Sequence, residues 1–226
     1  MSYIDYTKYD FELIKKAGKI AYLDCWGDSL CCEAKHLCEE ELYKGTLKKV
    51  DIYEDLNEIF WQENHAAILF PMNIDQIWLS SYKDKFKEYL DRGGIILNFT
   101  ASVSDFCPYD SKYIASKTPI RLREVKLNKH PICNGLREYD INYRRGVKGF
   151  FNRGYKNPSD EAEIFMQDDE GYCVAYVDRT SSKGVLINTA GADLLAYGLF
   201  DLSTARRLGL NVLIYIENIL KERLEK

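Results

Sequence analysis

Histidine is scarce in this chain, with only His36, His65 and His130 among 226 residues. Chemistry that needs an imidazole base therefore has few places to sit. No apolar run approaches the length of a membrane helix; the longest is "AAILFPM" at 66–72. The N-terminal "MSYIDYTKYDFELIKK" lacks the apolar region of a signal peptide. Neither Gly-x-Gly-x-x-Gly nor Gly-Lys-Thr occurs, which removes the usual nucleotide-loop signatures. The net charge is -4 and no basic block appears, so a nucleic-acid partner has no electrostatic footprint. "KKAGK" and "RLREVK" read as ordinary solvated faces. The seven cysteines are odd in number and irregularly spaced, and none form paired Cys-x-x-Cys motifs. That excludes a disulfide framework and a standard zinc signature, and implies reduced thiols in a cytoplasm. No metal, no cofactor, no nucleic acid and no membrane are expected.

What is present is a soluble balance of residues, 46% hydrophobic and 29% charged. Short apolar runs alternate with helical spacing. Strands are expected over "KIAYLDC" (19–25), "KKVDIY" (48–53), "HAAILFP" (65–71) and "IILNF" (95–99). Helices are expected over 29–45, where Leu30, Ala34, Leu37, Cys38 and Leu42 share a face, over "EDLNEIFWQ", and over 75–94. Unbroken apolar strands between helices argue for a parallel sheet. Residues 104–160 lose this periodicity and read as an irregular insertion with a few short strands. "AEIFMQ", "GYCVAYVDR" and "KGVLINTAG" then read as three strands, and residues 202–226 as a closing helix. The expected architecture is one α/β domain over 1–226, a flavodoxin-like three-layer sandwich with a mostly parallel sheet. Asn98-Phe99-Thr100 matches a glycosylation triplet, but it falls in a buried strand and is set aside.

Several segments carry a family resemblance. "ILFPMN", a helix and then "YLDRGGIILNF" resemble the fold of class I glutamine amidotransferase-like proteins. "HPICNGL" resembles the "HPI-x-x-GL" segment of the ThuA-like group. "YCVAYVDRTSSKGVLINTAGADL" and "ARRLGLNVLIYIENI" resemble their late hairpin and closing helix, and "GGIILNFTASVSD" is similar to the amidotransferase-like domain of some β-galactosidases. The resemblance covers most of the chain, from about Lys19 onward. It implies a Cys nucleophile on a tight turn after the fourth strand, served by a later His and an acid.

That triad is missing. The nucleophile position falls at Thr100, in Asn98-Phe99-Thr100-Ala101-Ser102, without the flanking glycines. The later His-x-Glu is replaced by Asn188-Thr189-Ala190-Gly191-Ala192-Asp193. Glutamine hydrolysis by the family mechanism is not expected. Thr100 and Ser102 read first as turn residues, since a hydroxyl nucleophile needs a neighbouring base.

Other candidates lie nearby. "CWGDS" at 25–29 ends the first strand, and a following helix would aim its N-terminus at Cys25 and lower the thiol pKa. Trp26 could stack a sugar or base and Asp28 could bind hydroxyls, against the plainer readings of core residue and helix cap. Cys31, Cys32, His36 and Cys38 read as packing residues rather than zinc ligands. Aromatic and basic residues at 143–156 suit an anionic or sugar ligand or a protein interface. The leading expectation is a non-hydrolytic amidotransferase-like domain. It would bind a small polar ligand, a carbohydrate or derivative, with Cys25, Trp26, Gly27, Asp28, Asn73, Thr100, Ser102 and Asp193. The alternatives are an enzyme of altered chemistry using Cys25 or Asp28 with Asp193, and an interaction module that forms a homo-oligomer.

Overall fold

The computed structural model describes residues 4–27, 33–144, 146–151 and 153–225. The first four strands are β1 (Ile20–Asp24), β2 (Leu47–Asp51), β3 (Ala67–Phe70) and β4 (Ile95–Asn98). They alternate with helices α1 (Glu12–Lys16), α2 (Glu33–Glu39), α3 (Glu58–Gln62), α4 (Gln76–Ser80) and α5 (Lys83–Asp91). A long stretch follows with β5 (Ile114–Ala115), β6 (Val125–Leu127), α6 (Glu138–Asn142), β7 (Tyr143–Arg144), β8 (Val147–Lys148) and β9 (Gly154–Tyr155). The chain closes with β10 (Glu163–Asp168), β11 (Cys173–Asp178), β12 (Val185–Thr189) and α7 (Arg207–Leu224).

Eight strands form one sheet in the order β2-β1-β3-β4-β12-β11-β10-β6. The first five run parallel, and β11, β10 and β6 are each antiparallel to the strand before them. The parallel half has the flavodoxin-like order, whose topological switch lies between β1 and β3. Alternating side chains explain the layers. Ile20 and Tyr22 join the core under α1, α2 and α7, whereas Ala21 and Leu23 join the core under α3, α4 and α5. Both faces of the parallel strands are therefore apolar, as a sheet covered on both sides requires. This is an α/β fold of the Rossmann or flavodoxin-like type.

Two helices are shorter than the spacing predicts. The 75–94 segment breaks into α4 and α5 because Ser80 Oγ and Ser81 Oγ donate to the Gln76 and Trp78 carbonyls at 2.8 and 2.7 Å, drawing the backbone out of register. The helix expected to reach Gly45 stops at Glu39, and turns follow through Tyr43 and Lys44. Three consecutive carboxylates at Glu39, Glu40 and Glu41 oppose a helix C-terminus there.

The irregular 104–160 segment is tied down by buried polar pairs. Arg123 Nε donates to Asp168 on β10 at 2.9 Å, and both side chains are almost fully buried. Asn142 embraces the edge strand β6, accepting from Val125 N at 2.7 Å and donating to Val125 O at 2.9 Å. No described helix is long and apolar enough to cross a membrane.

Candidate functional site

Two groups form at the carboxyl ends of the parallel strands. The first sits at the switch point. Cys25 directly follows β1, and its Sγ donates to the Asn73 carbonyl beyond β3 at 3.3 Å. Trp26 Nε1 donates to the same carbonyl at 3.3 Å. Gly27 takes the left-handed backbone at φ +59, and its carbonyl accepts from Lys49 Nζ on β2 at 2.5 Å. The loop after β1 is thus held by both neighbouring strands. Trp26 is 54% exposed, with its N–H already occupied. Tyr53 and Trp78 form an edge-to-face pair at 5.3 Å, with Tyr53 OH donating to Asp75 at 2.9 Å and Trp78 Nε1 to Ile52 O at 3.1 Å. The polar tips of these rings are fixed by the protein, and much of their apolar surface faces water.

The expected activation of Cys25 is corrected by its surroundings. Burial raises the thiol pKa, and the Asp24 and Asp75 carboxylates raise it further against a backbone hydrogen bond that lowers it. The described part of α2 begins only at Glu33. Asp28, Cys31 and Cys32 lie outside the described residues.

The second group lies beyond β4 and β12. Asn98 and Asn188 are register partners on these adjacent strands. Asn98 Oδ1 accepts from Thr100 N at 3.2 Å and Thr100 Oγ1 at 2.7 Å. Thr100 Oγ1 and Ser102 Oγ are 2.8 Å apart, and Ser102 Oγ accepts from Lys156 Nζ at 3.2 Å. Lys156 also donates to both Asp110 oxygens at 2.8 Å and to Asn188 Oδ1 at 2.7 Å. Asp110 further accepts from Asn98 Nδ2 at 2.8 Å, Tyr176 OH at 3.2 Å and Asn188 Nδ2. The side chains of Lys156 and Asp110 are only 1% and 3% exposed, and Thr100 and Ser102 are buried. Burial lowers the Lys156 pKa, and the charge of Asp110 and its hydrogen bonds oppose that shift.

This geometry does not make a nucleophile turn. Thr100 is absent from the non-glycine residues with positive φ, so it lacks the strained backbone of an elbow. Several amides around the turn are already engaged. Thr100 N bonds Asn98, and the Gln76 carboxamide oxygen accepts from Val103 N at 2.9 Å and Ser104 N at 3.3 Å. No described histidine approaches. His36 is exposed on α2, His65 stacks on Phe60 before β3, and His130 stacks on Phe165 while its Nδ1 accepts from Ile132 N.

The candidates from the sequence thus divide. Cys25, Trp26, Gly27 and Asn73 come together at the switch point. Thr100 and Ser102 join the buried network instead. Gly191, at φ +79, packs against Ala101, where an added Cβ would meet that residue's Cβ at 3.0 Å. Asp193 caps the next turn, its Oδ1 accepting from Leu195 N at 2.7 Å and Ala196 N at 2.9 Å. Sequence reasoning missed Asp110 and Tyr176, and took Lys156 only as one of the basic residues of 143–156 suited to a ligand or an interface, not as a buried partner of an acid. A signal did exist for the asparagines, since "IILN" and "VLIN" each end an apolar strand on the same polar residue.

Neither a family model nor a curated protein matches the chain. Its fold is similar to that of the cytoplasmic protein STM3548 from Salmonella typhimurium, at 13% identity and a TM-score of 0.51, covering 87% of this chain and 98% of that one. At that identity the likeness is one of fold, and it supports the Rossmann or flavodoxin-like type.

Proposed function

We propose that this protein is a non-hydrolytic relative of the amidotransferase-like and ThuA-like proteins that binds a small polar ligand at the β1/β3 switch point. The observation that carries the reading is the convergence of Cys25, Trp26 and Asn73 at that point, with Trp26 held by its N–H and more than half in water. Doubly wound sheets bind ligands at the switch point because loops on either side of it diverge and leave a crevice. An exposed indole face suits a carbohydrate or its derivative, because the ring takes the apolar face of the sugar while polar groups of the neighbouring loops meet its hydroxyls. Glutamine hydrolysis is absent from this reading because Thr100 and Ser102 are engaged by Asn98 and Lys156.

Tryptophan fluorescence during titration with a panel of monosaccharides, sugar acids and sugar phosphates tests the reading. A saturable change is expected in the parent protein and is lost in Trp26→Ala. Saturable binding that survives Trp26→Ala unchanged moves the site elsewhere. Release of glutamate from glutamine by the purified protein overturns the non-hydrolytic part.

A further inference from the structure

The charge of this chain is divided far more sharply than its net value suggests. Residues 112–156 hold twelve Lys and Arg against three Asp and Glu, a surplus of nine positive charges in a chain of net charge -4. The remaining residues therefore carry a net charge of -13. Short windows hide this because the cations are spaced among neutral residues. The acidic counterpart is densest at 50–64, with Asp51, Glu54, Asp55, Glu58 and Glu63 and no Lys or Arg.

Each charged region surrounds exposed apolar side chains. On the basic side, Ile120, Leu122 and Val147 are 42%, 60% and 70% exposed. They form one patch, because Gly149 packs directly on Ile120, Lys148 Nζ donates to Arg121 O at 3.2 Å, and Ser116 N donates to Arg153 O at 3.0 Å. Lys117, Arg121 and Arg153 are exposed around it. On the acidic side, Ile59 is 66% exposed on α3, among the exposed Glu54, Asp55 and Glu58. A cleft of about 280 Å³ beside it is lined by Val50, Asp55, Asn57, Ile59 and Phe60 together with the Lys48–Glu63 ion pair.

The sheet separates these patches. The acidic one lies beyond β2, at one edge of the eight-stranded order, and the basic one is carried by the 112–156 segment that includes the opposite edge strand β6. At the usual strand spacing the two edges are roughly 33 Å apart. Some of these charges are paired within their own region, Glu58 with Lys85 at 3.8 Å and Lys148 with Glu124 at 3.1 Å, but at that separation the two patches cannot meet within one copy, whereas a second copy can bring them together.

We propose that the chain associates head to tail, with the basic patch around Val147 and Arg121 of one copy seated on the acidic patch around Ile59 and Glu54 of the next. Both halves have what an interface of moderate strength needs, apolar residues at the centre and complementary charge at the rim. The arrangement is heterologous, so it builds a ring if the rotation closes and an open chain if it does not. It uses none of the residues assigned to ligand binding and stands independently of that reading.

Sedimentation of the full chain at low and high salt, over a wide concentration range, is the first measurement. The mass is expected to rise with concentration beyond a dimer at low salt and to fall as salt shortens the screening length. Two double variants complete the test, Arg121→Glu with Arg153→Glu, and Glu54→Lys with Glu58→Lys. Each alone should weaken association by at least about tenfold, the effect expected of like charges brought face to face across an interface. Mixed in equal amounts, they pair the parent basic patch with the parent acidic patch at one contact and the two reversed patches at the other, and association should be recovered. A monomer under every condition overturns the proposal, as does association indifferent to both variants or a mixture that stays monomeric. Far-UV circular dichroism and a thermal midpoint unchanged from the parent in both variants would show that they are folded.

Discussion

Beyond β4 and β12, Lys156, Asp110, Thr100 and Ser102 are packed out of solvent with nearly every polar atom paired; beyond β1 and β3, Trp26 stands in water and a single carbonyl holds two side chains. Both places are carboxyl ends of parallel strands in the same sheet, so the fold offers each as a site. They differ in what has been brought over them. The 104–160 segment delivers Asp110 and Lys156 onto the β4 and β12 ends and closes them. Among the described residues, the bonds of Cys25, Trp26 and Gly27 run to Asn73 and Lys49, so there the strand ends are linked to one another. A polar cluster at a strand end is therefore a site only where its groups have partners still to gain. Charge and hydroxyls at the right address can serve as structure instead.

The most severe way to break this contrast is to remove the acid from the closed end. Asp110→Ala leaves the buried Lys156 ammonium with only Ser102 and Asn188 as acceptors. A loss of about 3–5 kcal/mol in denaturant unfolding is expected, as for other buried pairs deprived of one partner. Lys156→Met should cost less, because Asp110 keeps donors from Asn98, Asn188 and Tyr176. Replacing both by apolar residues should recover part of the loss. The pH dependence supplies a second signature. Burial lowers the Lys156 pKa, so the unfolded chain binds that proton more readily. Stability linked to this group therefore rises with pH from the folded pKa toward the ordinary lysine value of about 10.4. Asp110→Ala removes the main opposing influence and should steepen that rise. A flat profile in the variant would mean that Lys156 has found water or another acid.

A smaller effect is expected where the two loops of the closed end meet. Gly191→Ala forces a side chain onto φ +79 and its Cβ to 3.0 Å from that of Ala101. A destabilisation of about 1–2 kcal/mol should follow from the left-handed backbone and the contact together. An equal stability would show that the 189–193 loop moves freely of the Thr100 turn, and that the wall between them is not rigid.

Much of this architecture can be read from the chain, and what cannot has a physical explanation. The four early strands and the three late ones announce themselves as short apolar runs because both faces of the sheet are covered. The break between α4 and α5 is less visible, since Ser80 and Ser81 disturb a helix only through the backbone carbonyls they reach. Cys25, Trp26 and Asn73 are legible as candidates because they lie within three residues of strand ends. The pairing of Lys156 with Asp110 is not, because both come from a segment with no periodicity and meet only when it folds across the sheet. Their pairing spans 46 residues of sequence. The surplus of positive charge in the same segment is plain in the sequence once it is counted over 112–156 as a whole, but local windows conceal it.

At the open end, native-state alkylation of Cys25 sharpens the comparison in the direction opposite to an activated thiol. Its pKa is raised by burial and by Asp24 and Asp75, so the reactive thiolate is depleted near neutral pH. Iodoacetamide labelling followed by peptide mass analysis should be slower at Cys25 than in an unstructured cysteine peptide, and should accelerate with pH and with denaturant. Fast labelling at neutral pH would point to a cation near the sulfur and restore Cys25 as a nucleophile.

Trp26→Ala is expected to have the least effect on folding and the greatest on binding, and that separation is the real test of an open site. The ring's one polar contact is a 3.3 Å hydrogen bond to a carbonyl that Cys25 also engages, so Asn73 O keeps a donor when the indole is gone. With more than half of the residue already in water, truncation removes little burial, and the unfolding free energy should shift by no more than about 0.5 kcal/mol. If the indole is where a ligand stacks, the same substitution abolishes the fluorescence response and the ligand-induced rise in Tm together. A large loss of stability without any change in binding would instead class Trp26 with Lys156 and Asp110, as a residue that holds the strand ends shut.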